Sequence, residues 1–204
     1  MGSSIFFKYP PEHEFKGLKV LNVGCGFAQF KMPNVVNLDA YDVCKPDVVC
    51  NLEDGALPFA DATFDMIIAN HIFEHVHNWW ACVNECARVL KDNGVLEVYV
   101  PGSGNDSQTG YRDHISTINQ YSFYGISDLL RPATNAWAET TKEQHANRLK
   151  IVKTGSVLVN TWWVRYAPRF LKNWMAAHLR NVVYENQFKF RKMSLVEAES
   201  CTQR

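Results

Sequence analysis

Leu18-Lys19-Val20-Leu21-Asn22-Val23-Gly24-Cys25-Gly26, followed closely by Asn34-Val35-Val36-Asn37-Leu38-Asp39, decides the fold of this chain. The first stretch is a short apolar run that meets a glycine turn, the pattern of a buried strand feeding a tight bend. The second is another strand, stopped by Asp39. Only Phe27 to Pro33 lie between them. Any helix in that crossover is therefore one or two turns long, near the minimum for joining parallel strands.

The pattern continues outward. Asp47–Cys50 and Phe64–Ala69 read as further strands, and the nearly unbroken apolar character of the latter suits a central parallel strand covered on both faces. From Asn78 to Leu90 the apolar positions Trp79, Trp80, Cys82, Val83, Cys86, Ala87, Val89 and Leu90 recur at helical spacing, and Lys91-Asp92-Asn93-Gly94 supplies a basic last turn and a glycine stop. Val95–Val100 restarts a strand that ends at Pro101-Gly102-Ser103-Gly104. Gly102–Thr117 is polar and reads as a loop, Gln120–Leu130 as a helix, Leu149–Val159 as a strand, Trp162–Tyr184 as an amphipathic helical region broken at Pro168, and Gln187–Lys192 as a final edge strand. Strands alternating with helical connections give an α/β fold: a Rossmann-like, doubly wound, mostly parallel seven-stranded sheet with helices on both faces, in a single domain spanning 1–204. Such sheets bind ligands beyond the carboxyl ends of their strands.

Composition agrees. The 204 residues are 47% hydrophobic and 21% charged, the profile of an ordinary globular chain. No apolar run approaches a membrane span, and Met1–Lys8 lacks the layout of a secretory signal, so a cytoplasmic protein is expected. Formal neutrality hides a gradient: residues 1–141 carry 9 basic and 17 acidic residues, whereas 142–204 carry 12 basic and 4 acidic ones. The six cysteines form no CxxC pair and read as reduced thiols.

The chemistry-bearing residues sit just past predicted strand ends. Gly24 and Gly26 allow a backbone to approach a ligand closely. Asp39, acceptor-only when ionised, has lone pairs enough for both hydroxyls of a ribose. Together they suggest an adenosine-containing ligand. A dinucleotide fingerprint wants a third glycine where this chain has Gln29, and no Walker loop is present, so the turn lacks the groups that hold phosphates.

Taken in order, Val20-Leu21-Asn22-Val23-Gly24-Cys25-Gly26, Asn37-Leu38-Asp39, Asn51-Leu52-Glu53-Asp54 with Leu57-Pro58-Phe59, Phe64-Asp65, Phe73-Glu74-His75, Arg88-Val89-Leu90-Lys91 and Val100-Pro101 resemble the motifs of class I S-adenosylmethionine-dependent methyltransferases. The resemblance covers about residues 18–131 and is similar in particular to small bacterial and phage-type members with a short first crossover. It implies S-adenosylmethionine as cofactor and S-adenosylhomocysteine as product. By the same resemblance Gly24, Cys25 and Gly26 line the methionine part, Asp39 accepts the ribose hydroxyls, Asn51 and Leu52 frame the adenine edge, Asn70 and His71 lie near the sulfonium, and Asn22 and Ala40 are counted with the cofactor-binding residues. The chain departs from the family at Asn22, usually acidic, and at Ala28, usually glycine.

Methyl transfer from a sulfonium needs alignment and exclusion of water more than a fixed catalytic group. A hydroxyl acceptor benefits from a general base, for which His75 and His114 are the candidates. Glu74 and His75 could instead orient the helix start by hydrogen bonding. The expected reaction is O-methylation of a small-molecule or glycan-type acceptor, with residues 132–204 supplying the substrate side or a lid. An Asn/Asp-Pro-Pro-Tyr-like motif of nitrogen-directed nucleic-acid enzymes is absent after the fourth strand, where Asn70-His71-Ile72-Phe73 stands. The alternatives are a non-catalytic methyltransferase fold and a nucleic-acid or peripheral-membrane binder using Arg165, Arg169, Lys172 and Arg180 among Trp162, Trp163, Tyr166 and Trp174. The sequence His71-Ile72-Phe73-Glu74-His75 also has the H-x-x-E-H form of a zinc hydrolase. Its distal carboxylate would have to be Glu139 or Glu143, neither in a clear helical motif, so no metal is expected.

Overall fold

The computed structural model describes residues 10, 12–123, 147–158 and 162–202. Expectations for the ends of the chain, for most of the 120–130 helix and for Glu139 and Glu143 lie outside these residues. The strands are β1 (Val20–Val23), β2 (Val35–Asp39), β3 (Val48–Val49), β4 (Phe64–Asn70), β5 (Leu90–Pro101), β6 (Leu149–Leu158) and β7 (Val183–Lys192). They form one sheet in the order β3-β2-β1-β4-β5-β7-β6, parallel through β5. β7 runs antiparallel to both β5 and β6. The order reverses at β1, and the crevice beside its carboxyl end is where such a sheet takes a ligand.

The expected edge strand at 187–192 is instead an inner one, inserted between β5 and β6, and β6 forms the edge. Its alternation misleads because the polar positions are partnered: Gln187 and Lys192 are buried, Lys192 donating to the carbonyl of Leu90 at 2.7 Å, and Lys189 pairs with Glu97 at 2.7 Å.

Helix α1 (Trp79–Val89) crosses from β4 to β5. Its buried positions Cys82, Val83, Cys86, Ala87 and Val89 follow helical periodicity and join Leu21, Val23, Ile67, Leu96, Val98, Phe188 and Phe190 in the main core. Each large side chain buried there contributes about 1.5–3 kcal/mol of transfer free energy. The opposite face is thin: Phe15, Val20, Val35, Met66, Ile68 and Tyr99, with Leu18, Phe30 and Met32 packed on them. α2 (Asp106–Gly110) interrupts the expected loop, α3 (Trp162–Tyr166) and α4 (Arg169–His178) link β6 to β7, and α5 (Leu195–Thr202) follows β7.

Two connections differ from expectation for physical reasons. No helix forms between β1 and β2, and buried amides replace one: Asn22 donates to Asn37 at 3.1 Å and to the Ala28 carbonyl at 3.2 Å, while Asn37 both accepts from and donates to the backbone of Phe30. Lys91–Gly94 is not a helix stop. α1 ends directly into β5 at Leu90, which pairs with Phe64 while Val95 pairs with Met66, so 91–94 bulges out with Asn93 at φ 64°. Lys91 is held there by Asp65 at 2.8 Å. The 162–184 region is likewise shorter than read, since Tyr184 already belongs to β7.

Candidate functional site

The glycine turn leaves β1 with Gly24 at φ 63° and Gly26 at φ 48°, conformations that side chains resist. Asp39, at the end of β2 and 7% exposed, accepts the Gly26 amide at 2.7 Å and the Tyr41 amide at 2.9 Å. Two short charge-assisted bonds thus tie the turn to the acid. A carboxylate offers about four lone-pair sites, so about two stay available for a diol.

The residues fit an adenosine-containing donor unequally. A side chain at Gly26 would meet nothing within 4 Å, so that end of the turn is open. At Gly24 a Cβ would stand 2.4 Å from Cγ1 of Ile72, whose side chain lies across the turn. A methionine tail passing Gly24 requires Ile72 to move to another staggered rotamer. Cys25 is buried, its amide donating to Leu38, and burial followed by the nearby Asp39 charge pushes its thiol up to about 11.

Of the other expected donor contacts, Ala40 is exposed beside Asp39 and Asn51 caps the short turn Leu52–Asp54 by accepting the Glu53 amide at 3.1 Å. Leu52 is buried against the core. Asn22 is 1% exposed, its side-chain amide engaged with Asn37 and the Ala28 carbonyl in the network under the first crossover. Asn70 ends β4, opposite Tyr99.

His71 follows with φ 51°, a left-handed conformation uncommon outside glycine, its amide held by the Tyr99 carbonyl at 2.9 Å. Its ring lies between two carboxylates, Nε2 2.9 Å from Glu185 and Nδ1 3.2 Å from Glu74. Burial alone would lower its pKa, but the contacts with the Glu185 and Glu74 carboxylates outweigh it and raise the value to about 9. His71 is therefore an imidazolium at neutral pH.

Phe73–His75 is one 3-10 turn rather than part of a helix, so His71 and His75 do not share a helical face and the H-x-x-E-H reading fails on geometry. Nor does this turn orient the start of α1, whose N-cap is Asn78, accepting from Ala81 at 3.3 Å. It anchors the loop after α2 instead: the Glu74 carbonyl accepts the amides of Ile115 and Ser116 at 2.9 and 3.0 Å. That anchoring brings His114 against His75, ring centroids 4.7 Å apart and nearly perpendicular, with Tyr111 5.1 Å from His114. His75 Nδ1 meets the Asp113 carbonyl at 3.0 Å.

The helical segment after β6 adjoins the same rim: Gly102 donates to Tyr184, Asn181 to Gly104, and Arg180 pairs with Asp106 at 3.0 Å. Its buried side is small, comprising Val164, Met175 and Val182. Trp162, Tyr166, Phe170 and Trp174 are all more than half exposed, so these aromatics do not pack the segment onto the sheet.

Three participants escaped the reading of the sequence. Glu185 reaches His71 from 114 residues away through an antiparallel register that no local pattern encodes. Ile72 looked like one more apolar residue between Asn70 and Phe73. Glu74 was visible as a neighbour of His75, but its complete burial was not.

Residues 21–98 match the family model described as a methyltransferase domain. An uncharacterized protein of Methanocaldococcus jannaschii is 34% identical over 96 residues, 42% of this chain and 41% of that protein. The alignment thus spans about two fifths of that relative's length. A protein of Encephalitozoon cuniculi that bears a provisional methyltransferase name is 27% identical over 143 residues, 57% of this chain and 68% of its own. Among solved structures, a SAM-dependent methyltransferase from Archaeoglobus fulgidus superposes with TM-score 0.56 at 12% identity, covering 87% of this chain and 88% of that one. An S-adenosylmethionine-dependent methyltransferase from Mesorhizobium loti gives TM-score 0.52 at 12% identity, covering 86% and 91%. Residues 21–98 thus carry the match to a methyltransferase domain, and the sheet, with the glycine turn at the end of β1, has the fold of the S-adenosylmethionine-dependent methyltransferases just described.

Proposed function

We propose that the chain transfers the methyl group of S-adenosylmethionine to a hydroxyl of a small-molecule or glycan-type acceptor. The observation that carries the donor half is Asp39, buried at the end of β2 with lone pairs to spare beside the open Gly26. The donor supplies an electrophilic methyl on a cationic sulfonium. Asp39 would hold the ribose, Leu52 would back the adenine, and residues 18–131 would form the donor-binding core. Residues 132–204, including the exposed aromatic and basic face of α3 and α4, would form the acceptor side.

For the acceptor half, the support is the meeting of His75 and His114 on the rim beyond β4 and β5. With Nδ1 of His75 donating to Asp113, its other nitrogen is the one with a lone pair, an orientation suited to taking a hydroxyl proton. The imidazolium of His71 between Glu74 and Glu185 braces the end of β7 against β4.

One observation favours a second reading, a fold kept for binding rather than catalysis: Ile72 lies over Gly24, where the methionine end of the donor would pass. Calorimetry with S-adenosylmethionine and S-adenosylhomocysteine on wild type and Asp39→Ala separates the two. Losing hydrogen bonds to a charged group should weaken binding by about 1.5–3 kcal/mol, roughly 10- to 150-fold. No heat of binding with the folded wild-type chain would favour the second reading.

A further inference from the structure

We infer that Glu74, His75 and His114 form a binding site for a borderline divalent cation of the zinc class. One ligand atom from each of the three lies within 4.8 Å of the others. Proximity alone would carry little weight, but two of the residues hold buried polar atoms with no hydrogen-bond partner. Glu74 is 0% exposed and neither carboxylate oxygen has a hydrogen-bond partner, its recorded ion-pair contact being the 3.2 Å approach of His71 Nδ1 to Oε1; Nδ1 of His114 is also buried with no partner. An ionised carboxylate taken out of water costs several kcal/mol unless it is paired or coordinates a metal.

The contacts of Glu74 point the same way. Among the described residues the basic group paired with Glu74 is His71, at 3.2 Å from Oε1, and His71 makes its shorter contact, 2.9 Å, to Glu185. Two carboxylates thus share one imidazole ring, and Glu74 has the longer of its two contacts. A metal ion would take up the coordination that this leaves open on Glu74, with His75 and His114 beside it.

The donor set selects the class of ion. Two imidazoles and one carboxylate suit zinc or ferrous iron and are poor for magnesium or calcium, which want oxygen. Tetrahedral ligands about 2.0–2.1 Å from zinc stand roughly 3.4 Å apart, so small rotations of the side chains would close the site. His75 already has the outer support such ligands use, its Nδ1 meeting the Asp113 carbonyl at 3.0 Å. Three protein ligands leave a fourth position for water or for an acceptor oxygen. This last role rests on the function proposed above, and there the metal would lower the acceptor's pKa in place of a free imidazole base; the site itself does not depend on it.

The test uses the full chain stripped with a chelator and titrated with Zn²⁺, with Mg²⁺ and, as a spectroscopic probe, with Co²⁺. One Zn²⁺ per chain should bind in preference to Mg²⁺, and Co²⁺ should give the intense visible absorption of a four-coordinate site. His75→Ala and His114→Ala should each weaken Zn²⁺ binding by at least about 100-fold, since even outer-shell changes cost 10–100-fold. His77→Ala, removing an exposed histidine paired with Glu53, should leave it unchanged. Far-ultraviolet circular dichroism establishes that each variant is folded. Absence of stoichiometric Zn²⁺ binding, or binding that survives both His75→Ala and His114→Ala, overturns the proposal. S-adenosylhomocysteine binding by the same metal-free samples reports the donor site separately, so the two ideas fail independently.

Discussion

Replacing Gly24 with alanine should destabilise the chain through two separable effects. At φ 63° an alanine pays the left-handed penalty, about 1–2 kcal/mol, and its Cβ would lie 2.4 Å from Ile72 Cγ1, an overpacking of about 1–3 kcal/mol. The total is about 2–5 kcal/mol. Ile72→Ala alone loses a half-buried side chain, about 1–2.5 kcal/mol. In the double variant the clash disappears, because alanine at 72 lacks the Cγ1 and Cδ1 atoms that crowd the turn. The combined cost should therefore fall short of the two single costs added together by about 1–3 kcal/mol, the coupling expected of residues in contact. Equilibrium denaturation in urea, at constant slope, measures all four corners of the cycle. Additivity within about 0.5 kcal/mol would refute the claim that Ile72 lies across Gly24.

Arg88→Ala should cost about 2–3 kcal/mol in thermal or chemical unfolding, because Arg88 ties the 57–61 loop to α1 through the carbonyls of Leu57 and Phe59 together with Asp61 and Glu85. The hydrogen bond from Arg88 holds the Glu85 carboxyl below its ordinary range. Its contribution is thus complete above the unfolded value and lost as pH falls through the lowered folded one; the acid limb of a stability profile should be shallower in Arg88→Ala, and an unchanged limb would count against the pairing. A thiol reagent at neutral pH should modify the half-buried Cys44 and Cys50 well before Cys82 and Cys86, whose thiols burial pushes up, that of Cys82 to about 12. Early labelling of Cys86 in peptide mapping would contradict the packing of α1.

The strands from β1 to β5 were legible because each is a local apolar run closed by a turn residue, and α1 because its buried positions repeat every three or four residues. Trp162–Tyr184 was readable as helical and amphipathic, but which side would be covered was not: its burial is set by Val164, Met175 and Val182, while the larger aromatics face out. β7 was misplaced to an edge because pairing depends on which distant strand arrives, and a lysine that reaches a buried carbonyl reads in sequence like one in water. At the site, Asp39 and the glycines announced themselves by type and position. The meeting of His75 with His114 was only half visible, since both were singled out but their contact depends on two loop amides binding the Glu74 carbonyl. The departure at Asn22 has a local explanation: the amide side chain both spans to Asn37 and serves the Ala28 carbonyl, as a donor that an ionised carboxylate could not be.

That amide latch under Phe27–Pro33 also bears on motion. A crossover held by side-chain amides, with Phe30 and Met32 as its main apolar contacts, can detach while exposing modest hydrophobic surface. Its opening should therefore respond only weakly to denaturant, whereas β1 and β4 surrender their amide protons through cooperative unfolding of the whole sheet. The first connection of the fold should therefore exchange its amide protons ahead of the sheet that it joins.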